Sequence, residues 1–193
     1  LESIVIQSGR ITRTVRSLLD YARRPSRRND PISIARVVDG TLEMLEPELE
    51  KSHVTVARDE SYDAWVRGDG DQLQQVLTNL ILNAVQAMDG QSGEKEIRIG
   101  IHVVKDDESA SSAELRLTVS DSGPGLPGEL EGRLFTPFAT TKPSGTGLGL
   151  VVARSIVQDH GGELIGTTRI DGRPGAIFTV SLPLAPARLT GEA

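Results

Sequence analysis

Three groups of residues in this chain have types and spacings suited to chemistry. The first is PFATTKPSGTGLGL, residues 137–150, where Gly145, Gly147 and Gly149 alternate with Thr146, Leu148 and Leu150. Glycine tolerates positive φ and lets backbone approach a ligand with no Cβ in the way. Leu148, Leu150, Val151, Val152, Ile156 and Val157 then recur at helical spacing, so the last glycines stand at a helix N-terminus. Unpaired N–H groups and the positive end of the helix dipole favour a phosphate there, and Lys142 adds a positive charge just upstream. An ordinary glycine-rich loop leading into a capped helix would carry the same pattern.

The second group is Asn79 and Asn83, four apart in GDGDQLQQVLTNLILNAVQAM and therefore on one side of a helix. Amides in a mostly apolar helix are costly unless satisfied. Either they bond neighbouring backbone, or one turns its oxygen toward a hard cation such as Mg²⁺. The third is Asp121, which ends a strand and is followed by Gly123 and Gly125 in DSGPGLP. A buried carboxylate can accept a hydrogen bond from an exocyclic amine such as that of adenine. The alternative is an Asx turn punctuated by Pro124 and Pro127.

The elements that must position these groups are legible in the hydrophobic pattern. Leu73, Val76, Leu77, Leu80, Ile81, Ala84, Val85 and Met88 cover a broad helical face, with Asp69 or Asp71 as its cap. Upstream, an extended pair at 32–33 leads to a helix through Ile34, Val37, Val38, Leu42, Leu45 and Leu49. Short strands follow around Val54 and Val56 and around Val66. After a turn at 89–96, Ile97, Ile99, Ile101 and Val103 form a strand, and a polar hairpin loop at 106–112 leads to Leu115, Leu117 and Val119. Residues 128–138 hold a short helix, with Phe135 and Phe138 anchoring the base of the following loop in the core. The helix at 148–160 stops at Gly161 and Gly162. Strands at 163–169 and 176–182 close the domain around the DGRPG turn, and the tail from Pro183 is expected to fray.

The N-terminal stretch differs in kind. Leu1, Ile4, Ser8, Ile11, Val15, Leu18 and Ala22 follow a 4-3 spacing over residues 1–24, and Pro25 ends the helix. So narrow a seam suits a dimerising partner, or else a helix folded back on the domain. RRPSRRND, ending at Asp30, is a basic linker and marks the one domain boundary.

Composition narrows the function classes. The 193 residues, 37% hydrophobic, suffice for one domain and an appendage. The chain starts at Leu1 without methionine and is read as a piece of something longer. It has no cysteine, which removes disulfides, Fe–S clusters and thiol catalysis. That suits a reducing compartment and a cytoplasmic location for this segment, whether its parent is soluble or anchored upstream. No apolar run reaches the ~20 residues of a membrane span. A formal charge of −6 argues against nucleic acid as partner, so a polyphosphate must be held by local devices.

NLILNAVQAM, DSGPGL, LFTPFATTK and GTGLGL stand in fixed order. Together they resemble the N, first-glycine, F and second-glycine boxes of the catalytic domain of bacterial sensor histidine kinases. That family shares a superfamily with DNA gyrase, Hsp90 and MutL. The likeness covers about 31–183, and PFATTK with NAVQAM is similar to the nitrogen-regulation-type branch. Residues 1–24 resemble the second helix of the dimerisation and phosphoacceptor hairpin. The resemblance implies an α/β two-layer sandwich, a mixed sheet under one helical layer, preceded by one amphipathic helix. It implies Mg²⁺ on Asn83 with Asn79 in support, adenine N6 on Asp121, and backbone approach to the nucleotide at Gly123 and Gly125. It further implies that Lys142 and the amides at Gly147–Leu150 hold the phosphates, with Thr179 near the base and 139–147 as a lid, mobile without nucleotide. Its partners would be ATP, a response-regulator receiver domain and a second copy through the 1–24 helix.

The departures from that family are equally specific. The ATP-hydrolysing cousins carry a water-activating glutamate where this chain has Asn79, and an amide cannot accept the proton. The acceptor histidine of the kinases belongs to a hairpin helix that this sequence lacks. His53 at a strand start, His102 within a strand and His160 before the glycine stop are read as structural. The expectation is a domain that binds Mg·ATP and presents its γ-phosphate to a histidine elsewhere. The alternatives are a non-catalytic nucleotide-responsive module and an ATPase of the same superfamily.

Overall fold

Ser33 is extended, and its hydroxyl accepts the Arg36 N–H at 3.3 Å, so the helix after it begins with a satisfied cap. In the computed structural model, which describes residues 28–60, 64–105, 113–130, 132–142 and 145–185, that helix is α1, Ile34–Lys51. It follows strand β1, Asp30–Ser33. The 1–24 helix, the first residues of the linker, the 106–112 loop and the tail beyond Ala185 lie outside the described residues. Asp30, expected to close the linker, instead opens β1 and pairs with Gly68.

Strands β2, Val54–Glu60, and β3, Trp65–Gly68, lead to helix α2, Gly70–Ala87. Of the two candidate caps, Asp69 does the work: its Oδ1 accepts the Asp71 and Gln72 amides at 3.0 and 3.4 Å. Strands β4, Lys95–Lys105, and β5, Ala113–Asp121, come next, then a 3₁₀ turn at Gly128–Leu130 and helix α3, Gly149–Asp159. Strands β6, Glu163–Thr168, and β7, Ala176–Pro183, complete the order.

β1 and β3 form a small antiparallel pair. The main sheet runs β2-β4-β5-β7-β6, with β2 parallel to β4 and the other neighbours antiparallel. Alternation assigns its faces. Ile97, Ile99 and Ile101, Leu115, Leu117 and Val119, and Phe178, Val180 and Leu182 are buried in one core with the apolar stripes of the three helices. The opposite face carries Glu96, Arg98, His102, Glu114, Arg116, Thr118 and Thr179. This is the expected two-layer sandwich with a mixed sheet. Among the described residues no helix is long and apolar enough to cross a membrane.

The expected fraying from Pro183 is not observed at its start. Pro183 belongs to β7, Leu184 bridges Val66, and the Ala185 N–H donates to the Trp65 carbonyl at 2.7 Å. His53 is not in a strand: it is exposed with φ 54° just past the end of α1. His102 faces outward in β4 opposite Arg116. His160 is a tie between helices: Nε2 accepts the Asp69 N–H at 3.0 Å while Nδ1 faces the Ile156 carbonyl at 2.7 Å. The ring thereby joins the end of α3 to the start of α2. His160→Ala is expected to cost about 1–3 kcal/mol by orphaning that amide. Urea unfolding would measure the loss, with nucleotide affinity unchanged.

Candidate functional site

Asp121 is the last residue of β5 and only 2% exposed. Its Oδ1 accepts two amides, Gly123 at 2.8 Å and Ala176 at 3.2 Å. Burial pushes the carboxyl above its ordinary 3.8, and the two amides, Lys142 and Arg169 partly oppose that push. No group in the described residues bonds Oδ2, which leaves one lone-pair edge for an incoming donor.

The glycines after Asp121 serve this carboxylate and the β6–β7 hairpin. A Cβ on Gly123 would come 2.8 Å from Asp121 Oδ1, and one on Gly125, at φ 89°, would come 2.9 Å from Thr168 Cγ2. The Leu126 N–H donates to Thr168 Oγ1 at 3.1 Å, which holds the loop on β6. Gly175, at φ 130°, passes so close to the Asp121 carbonyl that any side chain would overlap it. Arg169 lies across this turn, its side chain 12% exposed. It grips Asp171 through Nε–Oδ1 at 3.1 Å and Nη2–Oδ2 at 2.5 Å, and holds that carboxyl down to about 2. Ala176, Gly175, Thr168 and Arg169 therefore shape the site, yet DGRPG read in sequence only as a hairpin turn. The β5–β7 register was the missing signal.

Thr179 does not belong with them. It pairs with Thr118 and Ile165, three positions along β7 from Ala176, and alternates with the buried Phe178 and Val180. Its side chain is on the outer face of the sheet, away from Asp121. The residue beside the carboxylate is Ala176.

From α2, Asn79 and Asn83 project on the expected common side, both half-buried. Lys142 crosses to this helix, and its Nζ donates to Asn83 Oδ1 at 2.5 Å and to the Asn83 carbonyl at 3.1 Å. Burial lowers the Lys142 pKa, with Asp121 acting the other way. The Asn79 side chain makes no hydrogen bond among the described residues, and its Oδ1 would lie 3.6 Å from a Cβ at Gly149. Gly149 thus lets the first turn of α3 come up against α2.

Among its described residues the loop between is tied by few bonds. Phe138 N–H meets the Gly147 carbonyl and Gly145 N–H the Lys142 carbonyl, both at 3.1 Å. The Thr140 hydroxyl accepts the Lys142 amide at 3.1 Å. A Cβ on Gly145 would crowd Thr140 Oγ1, and one on Gly147, at φ 66°, would come 2.7 Å from Phe138 Cα. Leu148 is buried, and its amide is taken by Thr146 Oγ1 at 3.3 Å. No side chain caps α3, so the amides of Gly149 and Leu150 keep their donor capacity. Phe135 packs on the core under the Arg154 guanidinium, 4.9 Å from the ring centroid. Phe138 does not: it is 63% exposed at φ 65°, because the chain reverses there to meet Gly147.

Asn83, Lys142, Asp121 and the open start of α3 therefore converge where α2, α3 and the ends of β5 and β7 meet. Asn83 Oδ1 already receives a cationic group, so a hard cation fits it. Among the described residues no cluster of three His, Cys, Asp or Glu surrounds that point. A metal there must take its other ligands from water and from the bound ligand. The cavity of about 370 Å³ lined by Arg28, Arg67, Gln72, His160 and Leu184 shares no residue with this site.

The family described as histidine kinase-, DNA gyrase B- and HSP90-like ATPase matches residues 68–186. Sensor histidine kinase ZraS of Escherichia coli O157:H7 is 33% identical over 181 residues, which cover 92% of this chain and 36% of that protein. The chain therefore spans about a third of the length of that relative. The nucleotide-free catalytic domain of histidine kinase ThkA is 28% identical with a TM-score of 0.68, over 80% of this chain and 95% of that one. ThkA in complex with the response regulator protein TrrA, 24% identical with a TM-score of 0.71, shares the fold over 95% of this chain and 50% of that one.

Proposed function

Because this chain belongs to the histidine kinase-, DNA gyrase B- and HSP90-like ATPase family, we propose that it is the Mg·ATP-binding catalytic domain of a sensor histidine kinase. Its work is to present the γ-phosphate to a histidine on another segment, for relay to a response regulator. The observation that carries this reading is the convergence of Lys142 on Asn83 beside the buried Asp121.

Asp121 is positioned to accept the adenine amine, a role its free Oδ2 allows and its burial makes selective. Lys142 and the amides at the start of α3 are suited to the phosphates, and Asn83 supplies a protein oxygen for Mg²⁺. The metal, once bound, would neutralise charge on the phosphates. Asn79 offers no base to activate water, so this site positions a phosphoryl group and does not hydrolyse it. Gly123 and Gly125 contribute through the shape of the Asp121 loop. A domain that draws on ATP works on the cytoplasmic side, and the 1–24 stripe would pair with a second copy.

The test is calorimetric. Micromolar-to-millimolar Mg·ATP binding is expected, with weaker binding in Asn83→Ala. Absence of binding would remove the reading, and steady phosphate release by this chain alone would favour an ATPase.

The loop is also expected to tighten around the ligand. Residues 139–142 and 145–147 carry few apolar anchors, so ligand contacts must offset the ordering entropy. Their amides should exchange faster than those of β5 without nucleotide and slow with a non-hydrolysable ATP analogue and Mg²⁺. Equal, strong protection in both states would show a preformed loop.

A further inference from the structure

The Lys142 ammonium sits between two oxygens of Asn83, 2.5 Å from Oδ1 and 3.1 Å from the carbonyl. It reaches them across 59 positions of sequence, from a loop whose described residues are otherwise held by the Thr140, Gly145 and Gly147 bonds. Of the two Asn83 oxygens, Oδ1 is the one a divalent cation would take. An ammonium and a metal ion cannot share one carboxamide lone-pair region, since each repels the other.

We propose that Lys142 is a built-in stand-in for the divalent cation: its ammonium caps Asn83 and latches the loop onto α2 until a metal-bearing triphosphate displaces it. Once displaced, the same ammonium is free to meet the phosphates. The latch rests on the two Lys142–Asn83 contacts, and only its displacement rests on the proposed function. The consequence is a loop that exchanges its Asn83 contact for phosphate contacts, and tightens on the ligand, only when metal accompanies the triphosphate. A triphosphate without metal leaves the ammonium on Asn83, and one with metal takes its place.

Hydrogen exchange at residues 139–142 and 145–147 in the nucleotide-free chain tests the latch. Lys142→Met is expected to speed exchange about tenfold and Asn83→Ala to speed it less, because the main-chain carbonyl at position 83 still accepts the ammonium, with the double variant no faster than Lys142→Met. Unchanged β5 amides would show that the fold is intact. Asn83→Asp places a carboxylate opposite the ammonium and is expected to slow the same amides. Unchanged exchange in the single variants, or effects that multiply in the double one, would overturn the latch. Displacement is read from the NMR signal of the Asn83 side-chain amide. It should move with a non-hydrolysable ATP analogue plus Mg²⁺ and stay with the analogue plus chelator. The same movement in both would overturn displacement by metal. Calorimetry of the two mixtures separates the readings: binding of neither refutes the nucleotide site and leaves the exchange result standing.

Discussion

Asp121→Ala is expected to lower adenine-nucleotide affinity by roughly 5- to 150-fold, the equivalent of ~1–3 kcal/mol for removing one partner of a buried polar contact. The carboxylate is 2% exposed, and the Gly123 and Ala176 amides hold its Oδ1. Loss of the side chain therefore removes the acceptor and leaves two amides without a partner. Asp121→Asn separates these effects. It keeps the shape and an oxygen for the amides, but aims an NH₂ donor at the adenine amine.

The two variants should also differ in stability. Burial raises the Asp121 pKa, so the folded chain holds the proton more tightly than the unfolded one. Stability contributed by this group is highest at low pH and falls as pH rises from 3.8 through the folded value; at neutral pH the ionised carboxylate is a net cost. Asp121→Asn is expected to melt higher than the parent near pH 7 while binding ATP poorly, a stability–function trade-off at one atom pair. Thermal melts and calorimetry with ATP check both halves. Unchanged affinity in Asp121→Ala would remove base readout from this site.

The second large effect is all-or-none. This chain is expected to bind Mg·ATP and fail to label itself with γ-phosphate, and to label a separately supplied helical hairpin that carries a histidine beside an acidic residue. None of its own histidines is placed as an acceptor. His53 is exposed beyond α1, His102 is on the outer face opposite Arg116, and both ring nitrogens of His160 are engaged. Phosphoryl transfer needs the acceptor in line with the γ-phosphate, which positioning alone supplies. Labelled ATP should mark the added hairpin with an acid-labile, base-stable product. Stoichiometric label of that kind on His53, His102 or His160 would make this chain a self-sufficient kinase.

What the amino-acid order determined by itself is what repeats over a few residues. Ile97, Ile99 and Ile101 alternate and are buried on one side of β4, while Leu73, Val76, Leu77, Leu80 and Ile81 recur at helical spacing and face the core from α2. Backbone geometry makes those periods local, so the place of Asn79 and Asn83 on one side of α2 was legible too. Pairings between distant segments were not. That Ala176 and not Thr179 stands beside Asp121 follows from the β5–β7 register, and a shift of one position turns a side chain to the other face. The exposed Phe138 follows from a reversal closed by the Gly147 carbonyl. The seat of Lys142 on Asn83, 59 positions away, and of His160 on Asp69, 91 away, exist only once α2, α3 and the sheet have packed. Packing alone offsets the entropy of closing such loops, and no local period records which groups then meet.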